Sequence, residues 1–159
     1  MFYNLKRIRE SHDLTQRELA NILKISKSSY NNFETGTQII PLKHLNNFCQ
    51  YFQVSMDFVC GLSNIGQKEN KVVRLNKRII GYRIKKIRLK KQLTQEQLAS
   101  ILNTSQSNIS SYENGKTLIL TAFAYTIAKE LKVSLDYLTG RSDNIKIIRK
   151  KKRIKVIKR

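Results

Sequence analysis

A chain of 159 residues with one proline, six glycines and 40% apolar residues is long enough for one medium domain or two small ones. Its formal charge of +20, from 31 basic against 11 acidic residues, asks for a polyanionic partner, nucleic acid first and an anionic membrane surface second. No apolar run approaches the ~20 residues that span a bilayer, two cysteines are too few for a disulfide framework, and the isolated His12 and His44 offer no metal-ligand spacing.

The chain opens MFYNLKRIRE, with no signal peptide expected, and enters a helix from about Asn4 to His12 with Leu5 and Ile8 inward. A second helix is predicted over Thr15 to Leu23, where Thr15 and Glu18 form a capping box. A third covers Ser26 to Thr35 with Tyr30 and Phe33 inward, and the Tyr30 hydroxyl must find a partner. Pro41 fits the first turn of a fourth helix, whose apolar stripe is Leu45, Phe48, Cys49 and Phe52. Cys49 reads there as a small buried hydrophobe. A fifth helix starts at Val54-Ser55, and Asp57 suits the positive end of its dipole. Residues 65–76, IGQKENKVVRLN, read as a linker that reaches roughly 40 Å when extended. That is enough to set two domains on half-sites ~34–36 Å apart. The Val72-Val73 pair has packing against a domain as its alternative.

The pattern then recurs. A helix starts near Ile79 and carries Ile84 and Ile87. Thr94 and Gln97 form a capping box, and Leu98, Ala99 and Leu102 share one face. Asn103 suits a left-handed turn, Ser105 caps the next helix, Ile109 and Tyr112 point inward, and Gly115 ends it. Gln106, Ser107, Asn108, Ser110 and Ser111 are left on the outer face, a row of small polar groups suited to base edges in a major groove. At a constant offset of 79, residues 4–64 match 83–143 at 20 of 61 positions, which marks an internal duplication.

The motifs L-T-Q-x-x-L-A, (F/Y)-E-x-G and V-S-x-D occur in both repeats at the same spacing. On these residues each repeat resembles the DNA-binding domain of the phage repressor and Cro family, the XRE-type helix-turn-helix family. The resemblance implies an all-α fold of two tandem five-helix lambda-repressor-like domains. It also implies that the first, second and sixth residues of each third helix face bases: Gln106, Ser107 and Ser111 in repeat two, Lys27, Ser28 and Asn32 in repeat one. Gln and Asn pair with adenine and Lys with guanine, so the two half-sites are expected to differ. Gln16, Gln95, Ser26, Ser105, Asn114 and Lys116 are the implied phosphate contacts. Thr35 stands where Asn114 does in repeat two, and Thr37 lacks the charge of Lys116, so the resemblance implies these two contacts for repeat two and not for repeat one. The pairs Arg9 with Glu34 and Arg88 with Glu113 are implied salt bridges between the first and third helices.

The expected division is residues 1–64 for the first domain, 65–76 for the linker, 77–143 for the second domain and 144–159 for a basic tail. Net charge is +6 over residues 1–79, +5 over 80–143 and +9 over 144–159, which hold no acid. Three readings of the tail stand: a disordered phosphate-attracting arm, a hairpin or added strand for self-association, and a membrane-surface segment. The last is weakened because charges fall on every side.

The functional expectation is a cytoplasmic, sequence-specific regulator of transcription that binds double-stranded DNA and represses by occlusion. No catalytic constellation, metal site or cofactor is expected, and a second copy or another protein is the further partner considered. Two other classes remain open: a protein-interaction module of the antitoxin type, and a nucleoid-like binder that reads only charge.

Overall fold

The computed structural model describes residues 4–66 and 72–148, and over them the chain is all-helical. The first repeat consists of α1 (Leu5–Glu10), α2 (Gln16–Leu23), α3 (Lys27–Thr35), α4 (Leu42–Tyr51) and α5 (Met56–Val59). The second consists of α6 (Lys77–Lys90), α7 (Gln95–Leu102), α8 (Gln106–Glu113), α9 (Thr121–Glu130) and α10 (Leu135–Leu138). Both expected capping boxes form. Thr15 and Thr94 accept from the amides of Glu18 and Gln97, whose side chains return the bond. Pro41 lies one residue before α4, at its N-cap.

The duplication is written in the backbone as well as in the sequence. Among the described residues, six other than glycine adopt positive φ: Asp13, Lys24 and Gln53, then Gln92, Asn103 and Lys132. They pair at the same offset of 79, yet no pair shares a side chain. Lys24 takes the left-handed turn between α2 and α3 (φ 55°) that Asn103 takes between α7 and α8 (φ 50°). The turn is held in both repeats by an amide returning to the preceding helix, Ile25 to Ala20 and Thr104 to Ala99, each at 3.0 Å. Tertiary packing, not residue preference, decides the conformation at Lys24.

Each repeat has an apolar centre. Leu5, Leu19, Tyr30, Leu45 and Phe48 are fully buried in the first, and Ile84, Ile87, Leu98, Ile109 and Ala128 are buried in the second. Cys49 and Cys60 are both buried, and neither is in a disulfide. The Tyr30 hydroxyl does not find the partner expected of it. It is buried beside Arg9 and Glu34, which bond each other, and makes no well-formed hydrogen bond among the described residues.

The repeats do not stand apart on a stretched linker. They dock through α5 and α10, and the carboxylate expected to serve its own helix serves the other one. Asp57 accepts from the Leu135 amide (2.7 Å) and the Ser134 hydroxyl (2.6 Å) at the start of α10. Asp136 accepts from the Met56 and Asp57 amides, both at 2.8 Å, at the start of α5. Helix N-termini carry unpaired amides, so each aspartate answers a need in its neighbour. Both carboxylates are buried. Arg141, from the second repeat and also buried, joins them. Its guanidinium donates to Asp136 (3.1 Å), the Asn46 side chain (2.9 Å) and the Val54 carbonyl (3.3 Å). The equivalent position in repeat one is Leu62.

Of the linker pair, Val73 is buried while Val72 is 79% exposed. Asn46 and Gln50 both donate to the Val73 carbonyl, which ties this segment to α4. At the other end, residues 144–148 fold back over the seam. The Ser134 amide donates to the Ile145 carbonyl (2.9 Å), the Ser63 hydroxyl donates to that of Ile148, and Ile145 and Ile147 pack on the core. The start of the expected tail is thus part of the folded body, and the basic block from Arg149 onward lies outside the described residues.

Candidate nucleic-acid interface

The helices α3 and α8 start at serine caps. Ser26 and Ser105 accept from the amides of Ser29 (3.0 Å) and Asn108 (3.3 Å), which fixes the first turn of each. Tyr30 and Phe33 anchor α3 to the core, and Ile109 and Tyr112 anchor α8. The opposite face of each helix is left outward. Lys27 and Ser28 are exposed and Asn32 is half-buried in repeat one; Gln106 and Ser107 are exposed and Ser111 is half-buried in repeat two.

Beneath each outer face lies an ion pair. Arg9 grips Glu34 with two bonds of 2.8 Å, and Arg88 grips Glu113 with bonds of 2.6 and 3.1 Å. Each arginine spends a further donor on the carbonyl of Leu14 or Leu93, at the entrance to the following helix. The paired guanidiniums hold their protons more tightly than usual, through the hydrogen bond to the partner carboxylate. For Glu34 burial opposes ionisation, but the bonds from Arg9 and Gln16 outweigh it and lower its pKa.

From these pairs a relay of hydrogen bonds runs to the surface, and here the repeats diverge. In repeat two the Gln95 amide nitrogen donates to Glu113 (2.8 Å), so its oxygen must face away and accepts from Gln106 (2.7 Å). One N–H of Gln106 is thereby used, and its oxygen and second N–H remain outward. That is the donor and acceptor set that matches N7 and the N6 amino group of adenine. In repeat one Gln16 donates to Glu34 (3.1 Å) and to Asn31 (3.2 Å), and Lys27 stands in place of Gln106. A lysine ammonium has donors only, which suits guanine O6 and N7.

The remaining candidates are placed as follows. Ser107 shares a hydrogen bond with Ser105 (2.9 Å), and Ser111 shares one with Thr117 (2.9 Å), so both hydroxyls are held locally. Asn114 is exposed and donates to Ser110 (3.3 Å). Lys116 is exposed, and its carbonyl receives the Lys77 ammonium (3.0 Å).

That last contact belongs to a feature the sequence reading missed. Helix α6 begins seven residues before the point equivalent to the start of α1, and Asn76 caps it through the amides of Arg78 and Ile79. The added turns lie on the C-terminal end of α8. A Cβ on Gly81 would stand 2.2 Å from the Tyr112 carbonyl oxygen, and one on Gly115 would stand 2.8 Å from Arg78 Cα. Two glycines therefore allow the approach that brings Lys77 and Arg78 beside the end of the outward helix. An Asn followed by a basic pair before the repeat's first apolar position was the signal.

Among the described residues no helix is long and apolar enough to cross a membrane. Residues 5–59 match a family described as helix-turn-helix, and residues 81–141 match one described as helix-turn-helix domain. The antitoxin PezA of Streptococcus pneumoniae serotype 4 is 40% identical over 58 residues, 36% of this chain and 37% of that protein. The uncharacterized HTH-type transcriptional regulator YobD of Bacillus subtilis is 35% identical over 72 residues, 45% of this chain and 62% of that one. The chain thus spans less than two thirds of the length of either relative. Among solved structures, the P22 c2 repressor in complex with a synthetic operator is 28% identical over 40% of this chain and 97% of that chain, with a TM-score of 0.38. The SinR–SinI complex is 30% identical over 37% of this chain and 58% of that chain, with a TM-score of 0.35.

Proposed function

From a chain of two helix-turn-helix domains in tandem, we propose a sequence-specific regulator of transcription that binds double-stranded DNA through α3 and α8 and represses by occlusion. The observation that carries this reading is the relay from Arg88 through Glu113 and Gln95 to Gln106. A solvated helix face has no need of an oriented amide. A base reader does, because bidentate readout depends on which atom points where. Gln106, Ser107 and Ser111 face bases in one half-site, and Lys27, Ser28 and Asn32 face bases in the other. Gln16, Gln95, Ser26, Ser105, Asn114 and Lys116 meet phosphates, with Lys77 and Arg78 added to them. The +20 charge supplies the sequence-independent attraction, and the similarity to the regulator YobD supports the same class. The site of action is the cytoplasm, and the reading needs no catalytic group.

The similarity to an antitoxin favours a second reading, in which a helix-turn-helix face also holds a protein. Selection of bound sequences from a random duplex pool, at near-physiological salt, separates the two. Enrichment of defined half-sites supports the regulator. Binding that fades with rising salt and enriches nothing would refute it.

A further inference from the structure

We infer that the two domains form a dimer within one chain, and that its DNA target is an inverted pair of unlike half-sites held at one fixed spacing by the α5–α10 seam. The inference rests on the DNA-reading function proposed above. Its own warrant is the pairing at the seam. Asp57 caps α10 at Leu135, and Asp136 caps α5 at Met56. Under the offset of 79 these are the same two positions with their roles exchanged. A head-to-tail arrangement places one surface against a different one, so such an exchange cannot occur. Exchange is the mark of an isologous contact, in which the operation relating the bodies is its own inverse, a rotation of about 180°.

The same rotation must relate α3 to α8, since each is fixed within its own domain. A two-fold axis leaves height along itself unchanged, so two surfaces facing along it face the same way. A duplex has local two-fold axes of its own, and half-sites related by one run in opposite directions. The match is with an inverted pair, not a direct repeat. Because Lys27 answers Gln106 and Asn32 answers Ser111, the pair is inverted in direction but unlike in sequence.

The seam is also built to be rigid and permanent. Its carboxylates are buried, Arg141 reaches from the second repeat into α4 of the first, and residues 144–148 strap the two together through Ser134 and Ser63. Fusion lets the symmetry be broken at no risk of mispairing. Arg141 has Leu62 as its counterpart, and a homodimer would have to bury two such arginines or none.

The test uses the full chain and duplexes carrying the selected half-sites in inverted or direct order, with zero to five base pairs inserted between them. Native mass spectrometry counts chains per duplex. The expected result is one chain on an inverted pair, with a roughly 10²-fold or greater loss when insertion rotates one half-site off the common face. Direct order, tolerance of every spacing, or two chains on identical half-sites would overturn the inference while leaving DNA reading intact. No enriched half-site would overturn both. A double variant, Asp57→Ala with Asp136→Ala, is expected to relax the spacing requirement while single half-site affinity stays as in the parent. Unrelaxed spacing, with the single half-site still bound, also counts against the seam.

Discussion

Asp57 and Asp136 sit at equivalent points of the two repeats, and each caps the helix on which the other lies. The arrangement brings two buried carboxylates to one seam, where Arg141 donates to Asp136. Burial, and then the charge of Asp136, push the Asp57 carboxyl up to about 7.

A dependence of stability on pH follows. The folded-state pKa of Asp57 lies above its unfolded value of 3.8, so the folded chain binds the proton more tightly. Its contribution is fully present below about pH 4, declines as pH rises, and is lost above about pH 7. Asp57→Asn removes this titration. The difference in unfolding free energy between parent and variant, measured in urea from pH 5 to 8, is expected to move against the parent as pH increases. His44, whose pKa burial lowers, is common to both proteins and cancels. A difference that does not change with pH would mean that Asp57 is ionised throughout.

Gln106→Ala is expected to cost about 1–3 kcal/mol at one base position and to relax selectivity there. Gln95→Ala leaves Gln106 in place but removes the oxygen that fixes its amide. It should blur the preference at the same position and, because Gln95 no longer reaches a phosphate, weaken binding to every sequence. Binding of duplexes substituted at each position in turn separates the two patterns. Uniform loss with Gln106→Ala would reassign that residue to the backbone.

Much of this was legible in the chain. The capping boxes and the serine caps follow from local spacing, and the structure has them where that rule puts them. The two arginine–glutamate pairs are implied by the family resemblance and not by spacing, and ion pairs stand at those residues. What escaped were contacts with no local signature. Asp57 in the first turn of a helix looks the same whether it serves that helix or another 78 residues away. Arg141 resembles any basic residue near a domain end, yet it is among the more deeply buried charges described. The positive φ of Lys24 contradicts its residue type, and only its partner Asn103 hinted at it.

Arg88→Ala leaves Glu113, whose side chain is 1% exposed, without its charge partner. The expected loss is about 3–5 kcal/mol of stability. Arg88→Met combined with Glu113→Leu is expected to recover much of it, because two apolar groups need no compensation. The double variant still loses the anchor of Gln95, and so loses selectivity at the Gln106 position. Thermal unfolding and base-substitution binding, read together, check both halves. Equal destabilisation by the single and double changes would mean that the pair contributes through packing.

Gly81→Ala tests the approach of α6 to α8. The new methyl would meet backbone oxygens of Tyr112 and Glu113, which cannot step aside without moving the outward helix. A loss of about 1–3 kcal/mol is expected from overpacking, together with weaker DNA binding as Lys77 and Arg78 shift. Unchanged binding in a destabilised protein would show that the added turns of α6 brace the fold and do not touch DNA.

Two truncations divide the C-terminal segment by function. Removing residues 149–159 takes away eight basic residues and leaves the strap and the seam in place. Stability should hold, affinity should fall alike for all duplexes, and the slope of log affinity against log salt should flatten by ~0.9 for each phosphate that is no longer neutralised. Removing residues 144–159 also takes away the strap that reaches Ser134 and Ser63. This longer deletion is expected to lower the unfolding midpoint and to loosen the seam, which the insertion series reads as a wider tolerance of spacing. If the two truncations behave alike in both assays, the strap contributes nothing and the segment acts by charge alone. If the shorter one leaves the salt slope unchanged, the basic block makes no contact with the duplex.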